Sequence, residues 1–186
     1  MLIRPARPED AAAIADIYGY YVRETVITFA CTQPSAEQFA DQIREGRYPF
    51  LVAEDADAVI GFAYAHAYHT KEAFRWDVEL TIYLRRGQEQ HGTGSRLMRA
   101  LLALLRRQGY LLAYSCITLP NPASLALHRR FGFTELGVFP RNGYKLGRWC
   151  DVIWLQCPLA DALPSPAEPQ PFASLSPAEV QYLINA

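Results

Sequence analysis

The chain has 186 residues, a formal net charge of −1 and 51% hydrophobic residues. This suits a single domain with its own core, and the absence of any long run of like charge argues against nucleic acid or an anionic membrane as the main partner. No stretch approaches the roughly 18 uncharged apolar residues of a membrane span, and Glu9 and Asp10 interrupt the N-terminus where a signal peptide would be apolar.

In chain order, Leu2–Arg4 reads as a first strand. A helix starts near Pro8, with Glu9 and Asp10 in its first turn and Ile14, Ile17, Tyr18, Tyr21 and Val22 at helical spacing. Thr25–Ala30 is short and β-branched, a strand or an extended loop. Ser35 and Gln38 form a capping box for a second helix, whose inward stripe is Phe39 and Ile43. Phe50–Asp55 and Ala58–Tyr68 flank a tight turn and predict a hairpin. Trp76–Leu84 is a further strand, and with the first these make a meander. Gly92–Gln108 predicts a helix with a wide leucine face, and Leu111–Leu119 a buried strand. Asn121 caps a helix that begins with Pro122. The segments "FTELGVF" and "WCDVIWLQC" predict two closing strands joined by a turn-rich "PRNGYKLGR". After Leu159 prolines cluster at 164, 166, 169, 171 and 177. A domain over 1–159 is therefore expected, then an extended linker and a short terminal helix capped by Ser176. That tail either docks on its own domain or meets a partner. Overall the order predicts a mixed α/β (α+β) fold, with about seven mostly antiparallel strands and four or more helices.

The chemistry concentrates around Gly92 and Gly94. Neither a Walker loop nor a dinucleotide fingerprint fits, because no Lys follows Gly94 at the needed spacing and Leu97 stands where a third glycine belongs. A glycine-started helix after a strand still offers unpaired N–H groups and the positive end of a helix dipole, suited to an anion. The alternative is a plain tight turn. In "WDVELTIYL", alternation places Asp77, Glu79 and Thr81 on one face. A carboxylate such as Glu79 inside an apolar strand is costly to bury unless paired or functional. His128 lies near the end of the Asn121 helix, just before "FGF". The four cysteines form no CxxC pair, and His66, His69 and His91 lack ligand spacing. No metal is therefore expected, and the thiols suit a reducing cytoplasm.

The glycine loop, the Asn-started helix with its late histidine and the following "FGF" resemble the GNAT N-acetyltransferases. "YVRETVITFACTQPS", "YPFLVAE", "LPNPASLALHRRFGF" and "NGYKLGRWCDVIW", in this order, are similar to the phosphinothricin and methionine sulfoximine N-acetyltransferase group. The resemblance spans roughly residues 2–158. It implies transfer of acetyl from acetyl-CoA to a small amino-acid-like amine, a GNAT fold and a homodimer to which Trp149, Trp154 and the tail contribute. It implies that Gln90, His91, Gly92, Thr93, Gly94 and Ser95 hold the coenzyme A pyrophosphate, that Ile82, Tyr83 and Leu84 line the thioester, and that Asn121 and Ser124 also contact the cofactor. It gives Glu79 as the base, acting directly or through a water, and His128 as a general acid at the leaving sulfur. Phe29, Lys71, Phe74, Thr81 and Tyr83 would line the acceptor pocket. Glu89 departs from the Gln or Arg expected three residues before Gly92; a shift to Gln88 or Gln90, or compensation by Arg85 or Arg86, would offset it. A protein N-terminus or an antibiotic amine is the alternative acceptor, and a non-catalytic acetyl-CoA-binding module the remaining alternative.

Overall fold

The computed structural model describes every residue except Gln90, Ala162 and Leu163. Seven strands form one sheet in the order β1-β2-β3-β4-β5-β7-β6. They are β1 (Leu2–Pro5), β2 (Phe50–Asp55), β3 (Ala58–Ala67), β4 (Asp77–Leu84), β5 (Leu112–Thr118), β6 (Thr134–Lys145) and β7 (Arg148–Pro158). Among them only β4 and β5 pair in parallel. The helices are α1 (Ala11–Glu24), α2 (Ala36–Glu45), α3 (Thr93–Gln108), α4 (Pro122–Arg130) and α5 (Pro177–Asn185).

Each sheet face buries one helical layer. The leucine stripe of α3 (Leu97, Met98, Leu101, Leu104, Leu105) packs with Val78, Leu80, Ala113 and Leu155. On the other face α1 and α2 bring Ile14, Ile17, Tyr21 and Phe39 against Phe50, Val52 and Phe62. Alternation along each strand sorts side chains between these layers. The expected capping box of α2 is present: the Ser35 hydroxyl accepts from Gln38 N–H (3.2 Å) and the Gln38 side chain accepts from Ser35 N–H (2.8 Å).

Three segments refine the sequence reading. Thr25–Ala30 forms no strand; it is a loop in which the Thr25 hydroxyl donates back to Tyr21 C=O at 2.9 Å. Most of "PRNGYKLGR" is strand, because β6 runs on to Lys145 by absorbing register shifts at Glu135/Gly137 and Phe139/Gly143. A turn at Leu146–Gly147, both with positive φ, then closes the hairpin. Beyond Leu159, Ala162 and Leu163 of the expected linker lie outside the described residues. The rest of the tail returns to the domain: Leu175, Val180 and Ile184 are buried in the α3-side core, and Glu179 pairs with Arg107. Among the described residues no helix is long and apolar enough to cross a membrane.

Candidate active site

The site originates in one irregularity of the sheet. Strands β4 and β5 pair only at Asp77↔Leu112, Val78↔Ala113 and Glu79↔Tyr114. Beyond Glu79 they part, while β4 stays paired with β3 as far as Leu84 and β5 with β7 as far as Thr118. Backbone polar groups alternate sides along a strand. Arg85 N–H donates to Ile60 C=O on β3 at 2.8 Å, so the odd-numbered residues of β4 point their amides at β3. The even-numbered ones face β5, and past the parting the N–H groups of Ile82 and Leu84 open into the gap.

A cavity of about 1020 Å³ fills this opening. At one end stands the α3 N-terminus. Gly92 occupies the N-cap with φ 78°, and no side chain caps the first amides, which leaves them and the dipole for an anion. Gly92, Gly94 and Ser95 line the cavity. A Cβ at Gly94 would meet the Leu127 side chain of α4 at 3.4 Å, an ordinary contact. Thr93 and His91 do not line it: Thr93 is 1% exposed and its hydroxyl donates to Met1 Sδ, and the His91 side chain faces solvent. Gln90 lies outside the described residues. Glu89 folds back on its own turn, accepting from Gly87 N–H at 2.8 Å. Arg85 is committed to Asp16 and to Val59 C=O. Arg86 lies over the Tyr20 ring. Arg130, at the end of α4, is the one arginine on the cavity wall among the described residues.

Helix α4 forms the far wall. Asn121 caps it by accepting from Ser124 N–H at 3.2 Å. His128 is 6% exposed. Its Nδ1 lies 2.8 Å from Ser124 C=O, an acceptor only, so Nδ1 carries the hydrogen and Nε2 accepts from the Ser115 hydroxyl at 2.8 Å. Burial holds its pKa below the ordinary histidine value. At neutral pH this ring is therefore uncharged, with both nitrogens engaged. Ser115 on β5, which the sequence reading passed over, lines the cavity beside it. A serine in a buried strand gives no local signal; only the β5–α4 packing pairs it with the histidine.

The other end of the cavity is aromatic and hydroxylic. Glu79, Thr81 and Tyr83 share one face of β4 and lie directly opposite His66, Tyr64 and Phe62 on β3. The Tyr83 ring packs on Tyr18 and Tyr21 of α1 at 5.0 and 4.7 Å between centroids. Burial raises the Tyr64 pKa to about 12 and lifts that of Tyr83 well above the ordinary value, so both remain hydroxyl donors. The Glu79 carboxyl is half-buried among them. Desolvation raises its pKa, and His66 opposes that shift. The loop carrying Thr28 and Phe29 roofs this end. It is pinned from β6, where the buried Lys145 ammonium donates to Thr28 C=O (2.7 Å) and Tyr21 C=O (3.2 Å). A Cβ at Gly143 would run into the Phe29 ring, so that glycine lets the roof seat. Tyr18 and Thr28 hydroxyls are joined at 2.7 Å.

Lys71 and Phe74 do not reach this wall. They sit at an exposed turn over Glu72–Phe74, where Phe74 packs on Tyr68 and His69. The resemblance placed them beside β4 along the chain, but in the fold this turn does not line the cavity. Among the described residues no cluster of histidines, cysteines and carboxylates suits a metal ion.

The acetyltransferase (GNAT) domain family matches residues 3–154. The chain belongs to this family of acetyltransferases. It is 36% identical over 169 residues to a phosphinothricin N-acetyltransferase of Streptomyces viridochromogenes, covering 90% of this chain and 91% of that protein. It is also 36% identical to an L-methionine sulfoximine/L-methionine sulfone acetyltransferase of Pseudomonas aeruginosa, covering 83% and 92%. A crystal structure of a GNAT phosphinothricin acetyltransferase from Sinorhizobium meliloti, in complex with acetyl-CoA, superposes with TM-score 0.83 at 33% identity over 95% of each chain.

Proposed function

We propose that this acetyltransferase transfers the acetyl group of acetyl-CoA to the primary amine of a small amino-acid-like substrate of the phosphinothricin, methionine sulfoximine or methionine sulfone type. The observation carrying the reading is the parting of β4 and β5 at Glu79, which gathers free strand amides, a free helix N-terminus and one half-buried carboxylate on one cavity. The N–H groups at Gly92, Thr93, Gly94 and Ser95 suit a diphosphate. The amides of Ile82 and Leu84 suit a pantetheine chain and the thioester oxygen, and one such oxyanion donor is commonly worth about 3 kcal/mol. Asn121 and Ser124 flank the same channel.

Glu79 takes a proton from the substrate ammonium, directly or through a water, and the amine attacks the carbonyl carbon. Its raised pKa brings the base nearer to working pH than an exposed carboxylate. His128, being neutral, does not serve as a strong acid. The leaving thiolate takes the second proton of the ammonium, and the Ser115 hydroxyl would donate to it by turning away from His128 Nε2. Thr81, Tyr83 and Phe29 enclose the acceptor, and the closed roof favours a small one.

The protein acts as a homodimer in the cytoplasm on this reading. The β6–β7 hairpin, at the sheet edge, exposes Leu136, Val138, Phe139, Tyr144, Leu146 and Trp149, the last 61% exposed, a patch that an isolated chain would leave to water. Trp154 instead packs inside the chain on Tyr68.

An acetyl-CoA turnover assay across phosphinothricin, methionine sulfoximine, methionine sulfone, plain amino acids and an N-terminal peptide tests the substrate class. The amino-acid analogues should show the highest kcat/KM; preferential use of the peptide would sink the reading.

A further inference from the structure

A second cavity, about 250 Å³, lies behind the acceptor end. Gln42, Glu45, Arg47, Tyr48 and Phe50 are among its walls. Among the described residues His66 alone lines both this cavity and the large one. It is also the direct cross-strand partner of Glu79, a relation that sets the two Cβ atoms about 5 Å apart on one face. Its Nδ1 lies 3.0 Å from Ala67 C=O. A carbonyl only accepts, so Nδ1 carries the hydrogen and Nε2 is left as a lone pair. Imidazole is the one neutral side chain that both takes and gives a proton near neutral pH.

Acetyl transfer needs such a route. When the N–C bond forms and the C–S bond breaks, an ammonium substrate gives up two protons. One ends on the coenzyme A thiol and one must leave the protein in every turnover. Glu79 is half-buried among Tyr64, Tyr83 and the roof loop, and substrates filling the large cavity would cover it on that side.

We propose that His66 collects this surplus proton from Glu79 and releases it to water in the second cavity. The proposal rests on the acetyltransferase reading with Glu79 as base. The two side chains are not hydrogen-bonded to each other, so the proton crosses through one bridging water or a small rotation of the imidazole. It adds at Nε2, and the resulting cation then loses a proton towards the exposed Glu45 and Arg47 rim. The titratable groups facing the pair are Tyr64 on β3, Asp77 and Tyr83 on β4, Tyr114 and Cys116 on β5, and Glu45, Arg47 and Tyr48 from the end of α2 and the segment after it. Of these only Glu45 and Arg47 stand exposed to solvent on the exit side.

The test uses His66→Ala and His66→Gln in the full chain. In dilute buffer kcat should fall at least fivefold with the KM for acetyl-CoA unchanged. Raising imidazole buffer should restore kcat in His66→Ala towards wild type, which a merely structural residue would not allow. In Glu79→Gln the further change His66→Ala should have no added effect. Unchanged kcat, a loss indifferent to buffer, or equal losses with and without Glu79 would overturn the relay and leave wild-type acetyl transfer standing. Should the wild type acetylate no amine offered, the base reading itself has failed. The relay, which rests on that reading, falls with it, whereas a wild type that acetylates an amine while both His66 variants keep its kcat overturns the relay alone.

Discussion

The two ends of the large cavity are built from different material. The cofactor end is mostly backbone: amides of β4 left free where it parts from β5, and the opening turn of α3. The acceptor end is mostly side chains, drawn from α1, the Thr25–Ala30 loop, β3, β4 and, through Lys145, from β6. Backbone donors bind any ligand of the right shape and charge, so that end is suited to one invariable partner. Side chains converging from distant segments can change one at a time, so on the proposed reading this end selects the amine.

Glu79 stands where the two ends meet, and changing it should have the largest effect. Glu79→Gln keeps the volume and removes the proposed base, so kcat should drop about 10²- to 10⁴-fold with the KM for acetyl-CoA nearly unchanged. The wild-type kcat/KM should fall as pH drops through the Glu79 pKa, and burial places that limb above the ordinary 4.5 of a glutamate. A pKa raised by folding also means that the folded state prefers the protonated form, so stability is lost as pH rises through the folded value. Glu79→Gln removes that penalty at pH 7. Its Tm should therefore rise rather than fall. Wild-type turnover in the variant, or a lower Tm, breaks this account.

The next two substitutions act on one end each. Ser95→Asp puts a carboxylate in the first turn of α3, where it favours the helix by about 0.3–1 kcal/mol but would face the pyrophosphate on the proposed reading. The KM for acetyl-CoA should rise about tenfold or more, a cost of about 1.4 kcal/mol, without loss of Tm and with the acceptor KM nearly constant. Lys145→Met leaves the Thr28 and Tyr21 carbonyls without their donor, at about 1–3 kcal/mol. The roof should loosen, raising the acceptor KM severalfold and lowering Tm, with acetyl-CoA binding spared. If each change moved both KM values together, the two ends would not be separable.

The same division decided what could be read from the sequence. Gly92 and the Asn121 cap are local signals, because a glycine at a helix start or a capping side chain announces itself within four residues. Alternation alone placed Glu79 and Thr81 on one face. The Ser115–His128 contact joins β5 to α4, and Lys145 reaches across from β6 to the loop after α1. Neither pairing follows any spacing along the chain. The path of β6 through "PRNGYK" was likewise hidden, since its register shifts depend on pairing with β7 rather than on strand propensity.

The smallest effect is expected at Lys71, and it tests the acceptor end most sharply. A cation there was attractive on the resemblance, because an amino-acid substrate carries a carboxylate. Yet Lys71 stands exposed at the Glu72–Phe74 turn, off the cavity wall. Between exposed charges more than about 8 Å apart, physiological salt screens most of the attraction. Lys71→Ala should therefore change the acceptor KM by less than about threefold, and any change should fade between low and high salt. A tenfold rise that persists in high salt would mean that the turn folds over the occupied site. The acceptor end would then include an element that the substrate itself draws in, and its selectivity would reside partly in that closure.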